Sequence, residues 1–478
     1  MRWREAVWPV PMSRVAVVAP VQALRPALLR VAGAGTVELD QPVPAADLPT
    51  SPAAGALRRL AAGRPVTPAL APEEPDLAEL ERAGRAELLA GEAELAGQAA
   101  QAVVRGPVAA LAGWTPTAEL PALAARLAGV GAAAVPLPRP RWVDPPTAPG
   151  PGATRRSFAP LVDAYATVPY RDVDPTVLAG LAYAVMFGAM FGDLGHGLLL
   201  LAGALLIRSG RVRRLAALRP HWRFVAAAAV AAMGFGVAYG EFFGPTGVVP
   251  ALWLEPVAEP VRLLFAGIGL GAVLLAGAYL LGTVNRVREG GWARALYAPS
   301  GLAGALLFVA AGLAAGAWYW ANGWLGLAAA GLAAAGLGLS YTGLWAASGG
   351  GPAGGVQAGI ELFDLVIRLG ANVVSFARLA AFGLTHAVLG AVVWDATTGL
   401  WQAGGAGLPG AVLVFLAGNA VAFTLEALVA GVQALRLEYY ELFSRVFQLS
   451  GRPFRPWQVA TGPAGPAVPA GPGEREEE

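Results

Sequence analysis

The 478-residue sequence predicts a mainly α-helical, polytopic membrane protein: about eight transmembrane helices, the last two long and tilted, behind a small N-terminal cytoplasmic α+β domain. Three observations carry this. Hydrophobic residues make up 56% of the chain and charged residues only 14%, whereas a soluble domain has about 25% charged residues. From residue 176 onward, apolar runs long enough to cross a bilayer, about 20 residues each, follow one another. Before that point the segments are short and alternate in type.

The bulk numbers also exclude. A net charge of +2 is too small to suggest nucleic acid, and the absence of cysteine removes disulfides, thiolate metal sites and cysteine catalysis. Every long basic side chain is arginine, which, with the heavy Ala, Gly and Pro usage, reads as genomic base composition. The opening "MRWREAVWPVPMSRV" has no uninterrupted apolar stretch after its arginines, so it is not read as a secretory signal. The N-terminus is expected in the cytoplasm.

Residues 1–140 are expected to form the arm domain. "RVAVVA" (14–19) is strand-like, 21–33 reads as a helix and "TVELD" (36–40) as a second strand. A similar strand, helix, strand pattern recurs over 108–137, and 76–104 reads as one helix rich in Ala, Leu and Glu. Residues 141–175 form a Pro-rich linker, 176–447 the transmembrane domain, and 448–478 a cytoplasmic C-terminal tail ending in the solvated "GEREEE".

The apolar runs are 176–207, 223–243, 261–284, 299–320, 323–346, 357–397 and 409–447. Arginines at 208, 211, 213, 214, 219 and 223, at 286, 288 and 294, and at 445, 452 and 455 mark three cytoplasmic connections by the positive-inside rule. With the arm also inside, 176–207 must cross twice. As one helix it would span about 48 Å, so two short crossings folded at "FGDLGHG" are expected, with Asp193 and His196 near the outer face.

Within "SFARLAAFGLTH" (375–386), Arg378 interrupts a run that is apolar on both sides. An arginine at the centre of a spanning helix costs roughly 2.5–3.5 kcal/mol on insertion scales, so a partner has to offset it. Thr385 shares its helix face within about 20°, whereas His386 is displaced by roughly 80°. The last run carries Asn419, Glu426, Gln433 and Tyr440 at seven-residue intervals, one polar stripe on an apolar cylinder. Such a stripe should line water or another helix, and Arg436 lies about 60° from Gln433. As one helix, 409–447 would reach about 58 Å, nearly twice the roughly 30 Å of hydrocarbon. Glu361, ahead of the i, i+4 pair Asp364 and Arg368, reads either as part of a cytoplasmic entrance or as plain helix surface.

Five motifs then stand in order: "PYRDVDPT" (169–176), "MFGAMFGDLGHGLLL" (186–200), "YGEFFG" (239–244), "SFARLAAFGLTHA" (375–387) and "LEALVAGVQALRLEYYELFSRVF" (425–447). Together they resemble the membrane stator subunit of V-type and A-type rotary ATPases, subunit a in eukaryotes and subunit I in archaea and bacteria. "MSRVAVVAP" and "AGWTP" (112–116) are similar to the family's N-terminal domain. That domain normally holds a long helical hairpin, for which only 76–104 is available here, so the arm is shortened.

The resemblance implies a subunit without catalytic chemistry or a bound cofactor, moving H⁺, with Na⁺ as the alternative, through two half-channels. It implies a c/K/L-type proteolipid ring as partner, E/G-type peripheral-stalk subunits on the arm, central-stalk and catalytic A/B subunits in the complex, and a prokaryotic plasma membrane. Arg378, Arg436, Glu426 and His386 are then expected to serve ion translocation. Glu361, Ser375, Thr385, Asn419 and Gln433 would line or support the half-channels, and Asp193 and His196 would belong to a turn motif. Two rival readings are a secondary transporter, against which no inverted repeat is found, and a purely structural membrane anchor. A Walker-type loop is excluded by the lack of lysine.

Overall fold

A computed structural model describes residues 8–44, 50–61, 64–140, 143–150, 152–405, 407–447 and 451–461. The terminal "GEREEE" and the first seven residues lie outside these. The chain divides into two compact units, one made of Val10–Pro149 with Gly451–Glu478, the other of Met1–Pro9 with Gly150–Ser450.

In the first unit, strand β1 (Met12–Pro20) leads into helix α1 (Leu24–Ala34) and the short strand β2 (Glu38–Leu39). Helix α2 (Pro52–Ala61), strand β3 (Ala69–Leu70), helices α3 (Leu77–Arg82) and α4 (Ala86–Ala100) and strand β4 (Val103–Arg105) follow. Strand β5 (Val108–Pro116), helix α5 (Leu120–Ala128) and strand β6 (Ala133–Leu137) complete the repeat expected over 108–137. The sheet is antiparallel in the order β2-β5-β1-β6, with β4 also on β5, and Val17 lies opposite Leu111. Val15 and Val17 of β1 pack on Leu28 and Val31 of α1 and on Leu123 and Leu127 of α5, the period-2 and period-3.6 faces that burial selects.

The single helix expected over 76–104 is corrected to two, because the chain turns at Gly84 with φ +70°, a region glycine enters freely. Residues 451–461, read as tail, carry structure. β7 (Ala460–Thr461) pairs in parallel with β3, and the Trp457 amide donates to the Val37 carbonyl at 2.8 Å.

The second unit is helical: α6 (Ala153–Asp163), α7 (Thr176–Met190), α8 (Leu194–Ser209), α9 (Trp222–Tyr239), α10 (Pro260–Tyr297), α11 (Leu302–Tyr319) and α12 (Gly323–Ala347), then α13 (Gly351–Ser375), α14 (Ala377–Ala403) and α15 (Gly407–Leu437). A π-helical turn, Glu438–Phe443, and α16 (Ser444–Val446) close it. Among the described residues, six helical stretches are long and apolar enough to cross a membrane, with Gly351–Ala403 (α13 and α14) counted as one, and α7 and α8 are shorter apolar helices. The polytopic helical fold expected is therefore the fold found, with 176–207 divided at Phe191–Asp193.

Small residues let these helices meet closely. A Cβ on Gly188 of α7 would stand 2.6 Å from the Ala231 backbone of α9, and one on Gly236 of α9 would stand 2.2 Å from the Leu194 nitrogen. The run 357–397, expected as one crossing, is interrupted. At Phe376 the amide turns back only three residues, to Val373 O at 3.2 Å, and the ring fills the space above Gly271 of α10. Ser375 therefore ends one helix and Ala377 begins the next, with Arg378 in its first turn.

Candidate functional site

The polar side chains of the helical unit gather in two places along α14 and α15, and a third group lies beside α10. The first place is built from four segments. Asp193 caps the N-terminus of α8: Oδ1 accepts from the His196 amide and Oδ2 from the Gly244 amide, both at 2.8 Å. The loop after α9 folds back tightly, Glu241 O accepting from Leu194 N at 2.9 Å and Gly244 meeting the α14 backbone at Gly390. Helix α14 brings His386, whose Nδ1 bonds the Glu426 carboxylate of α15.

Around that bond, His386 Nε2 lies 3.9 Å from Glu241 Oε2, and His196 Nδ1 lies 3.8 Å from Asp193 Oδ1. The imidazoles of His196 and His386 meet edge to face at 5.5 Å, walled by Phe191, Phe243 and Phe423. Asn419 approaches the His196 ring without hydrogen-bond geometry, and its Nδ2 donates instead to Phe415 O at 2.9 Å. Asp193, His196, Glu241 and His386 are all at most 4% exposed. Three carboxyl groups and two imidazoles thus share one largely buried enclosure, an arrangement suited to holding protons or a cation.

The second place lies about two to three turns away along the same two helices, toward the start of α14 and the end of α15. Arg378 at the start of α14, Arg436 at the end of α15 and Glu441 in the π-helical turn interact electrostatically, and Ser375 stands beside the Glu441 carboxylate. Arg378 Nη1 is buried without a hydrogen-bond partner. Glu441 was not singled out from sequence. At 100° per residue it lies about 140° from Arg436, and the wider i, i+5 turn brings it round.

The remaining expected residues are less gathered. Thr385 is exposed and its hydroxyl donates to Ala381 O at 2.9 Å. Gln433 Oε1 is buried without a partner. The residues expected to form one stripe from Asn419 to Tyr440 differ in exposure: Asn419 is buried and Tyr440 is 71% exposed. Glu361 accepts from Gln357 Nε2 at 2.7 Å on its own helix and joins neither cluster among the described residues. Glu241, quoted in a motif but given no role, is the second acid missed; a lone glutamate between two apolar runs was its only signal.

The third group belongs to "PYRDVDPT". Arg286 of α10 pairs with Glu289 Oε1 at 2.6 Å and reaches Asp172 Oδ2 at 4.0 Å, with Asp172 and Arg286 fully buried. Val173 N donates to Asn285 Oδ1 at 2.9 Å. Burial and the neighbouring Glu289 push the Asp172 carboxyl up to about 7.

Fold and site together define a polytopic helical membrane protein with acids, imidazoles and guanidinium groups inside its apolar layer. Residues 101–219 match the V-type ATPase 116kDa subunit family. The A-type ATP synthase subunit I of Aeropyrum pernix is 28% identical over 360 residues, 64% of this chain and 50% of that protein. That of Archaeoglobus fulgidus is 27% identical over 382 residues, 66% and 53% of the two chains. The V-type ATP synthase subunit I 2 of Treponema pallidum is 35% identical over 169 residues, 33% and 36%. The chain is thus similar to subunit I of the V- and A-type ATPases over part of its length, and it spans about half the length of the first two relatives.

Proposed function

We propose that the chain is the membrane stator of a V/A-type rotary ATPase or ATP synthase, and that it passes protons to and from carboxylates on a rotating proteolipid ring. The observation that carries this is an uncovered apolar face headed by arginine. On α15 Val421, Leu425, Leu428 and Val432 are each more than half exposed and lie at i, i+4, i+7 and i+11, with exposed Arg436 one turn on. On α14 exposed Ala381, Thr385, Val388 and Val392 continue from Arg378. Such stripes want an apolar partner, and a guanidinium at their edge wants an acid that the partner brings.

In this reading the Asp193, His196, Glu241, His386 and Glu426 enclosure serves the outer half-channel, with Asn419 at its wall. Ser375, Arg378, Arg436 and Glu441 stand where the cytoplasmic half-channel meets the ring. An always-charged guanidinium favours the ionised form of an approaching carboxyl group and opposes the passage of a protonated one, so protons leave on one side only. Gln433 lies between the two places along α15. Nucleotide chemistry belongs to the A/B subunits. The first unit is the shortened arm toward the E/G-type stalk, and both termini lie in the cytoplasm of a prokaryotic cell.

The chain has no cysteine, which makes the face directly testable. Single cysteines at Leu425 or Leu428 carrying a benzophenone are expected to cross-link to ring subunits in the assembled complex. A cysteine at Trp318 of α11, 87% exposed, is expected not to. Cross-links from 318 and none from α15 would contradict the assignment.

A further inference from the structure

The enclosure around His196 has a property that proton transfer does not require. The chain contains three histidines, and two of them, His196 and His386, meet here. Asp193, His196 and His386 each offer one ligand atom, and these atoms lie within 4.8 Å of one another. We propose that they form a binding site for a divalent transition-metal ion of the zinc class, and that its occupation blocks the ion path. The blocking clause rests on the stator reading; the binding clause stands without it.

Three observations support the site. His196 is 2% exposed, yet neither ring nitrogen has a hydrogen-bond partner, an expensive state for a buried polar group. Asp193 is already aimed, because the His196 and Gly244 amides hold its two oxygens. His386 is oriented by Glu426 on Nδ1, leaving Nε2 to face Glu241. A carboxylate behind a metal-binding imidazole is the usual outer support of such ligands.

The donor types select the ion class. Two imidazoles with one or two carboxylates suit Zn²⁺, whereas Ca²⁺ and Mg²⁺ take oxygen ligands. Tetrahedral bonds of about 2.0–2.1 Å set ligand atoms roughly 3.3 Å apart. The 3.8 Å from His196 Nδ1 to Asp193 Oδ1 and the 3.9 Å from His386 Nε2 to Glu241 Oε2 need to close by little. Among the described residues, the ion pairs drawn in this enclosure join only carboxyl groups and imidazoles, so no guanidinium competes within them.

The test is a Co²⁺ titration of the purified full-length chain, read by visible d–d absorption. The parent and His221→Gln are expected to bind one equivalent with the spectrum of a four-coordinate nitrogen and oxygen site. His196→Gln and His386→Gln should each bind at least tenfold more weakly, in line with the loss of a ligand. As a fold control, Zn²⁺ should raise the melting temperature of the parent and of His221→Gln but not of His196→Gln. No stoichiometric binding by the parent, or binding that depends on His221 alone, overturns the site. Zn²⁺ inhibition of ATP-driven pumping, scored against each variant's own metal-free rate, should then be weaker in His196→Gln. Metal binding without inhibition would leave the site standing and overturn the blocking role.

Discussion

Arg378 and Arg436 bring two positive charges together inside a largely apolar unit, and Glu441 is the acid beside them. Replacing Glu441 with Gln should therefore cost at least tenfold in ATP-driven pumping, while leaving the His386 enclosure intact. Unchanged pumping would mean that the acid does not serve the arginines. Sequence alone located the arginines, since charge inside an apolar run is conspicuous. It missed Glu441 because 3.6-residue arithmetic points that side chain elsewhere. Asp172 offers a pH test away from the spanning segments, facing Arg286, Arg288 and Glu289 of α10. Its folded form holds a proton up to about pH 7, against about 3.9 in an unfolded chain. At this one group the folded state thus binds more protons between these values, so its contribution to stability is fully present below about pH 4 and is lost as pH rises toward 7. Thermal melts of Asp172→Asn should show a flatter decline across that window. A slope equal to the parent's would contradict this.

At the scale of elements, close packing of α7, α8 and α9 shapes the His196 enclosure, and glycine permits it. Gly236→Leu would push a side chain into the Leu194 backbone, 2.2 Å from the ideal Cβ. Overpacking of this kind costs about 1–3 kcal/mol, so the detergent-solubilised chain should melt several degrees lower. Gly234→Leu on the same helix meets open space and should melt close to the parent. Equal melting of the two variants would remove the packing argument. The fold at "FGDLGHG" was legible because a 32-residue run is too long for one crossing. The break at Phe376 was not, since its neighbours are apolar and the cause lies across the interface, at Gly271 of α10. The break in 76–104 was marked by Gly84 and was overridden by the helix-favouring Ala, Leu and Glu around it.

At the scale of the whole molecule, arginine-rich connections set an orientation that labelling can check. A cysteine at Ser209 should react with an impermeant maleimide only from the cytoplasmic side, and one at Val248, 66% exposed in the loop after α9, only from the outer side. Labelling of both from one side would break the assigned topology. The apolar runs made the membrane class plain from composition. The division of the site into a histidine-carboxylate enclosure and an arginine-glutamate cluster needed three dimensions, because its members come from residues 193 to 441. The central claim is that Arg378 acts on ions rather than holding helices together. It is tested most directly by ATP-driven pumping in vesicles carrying the assembled complex with Arg378→Ala, assembly being scored separately. Pumping lost from a fully assembled complex is the expected result. Pumping retained would make the arginine a structural charge and leave the family likeness as shared fold without shared mechanism.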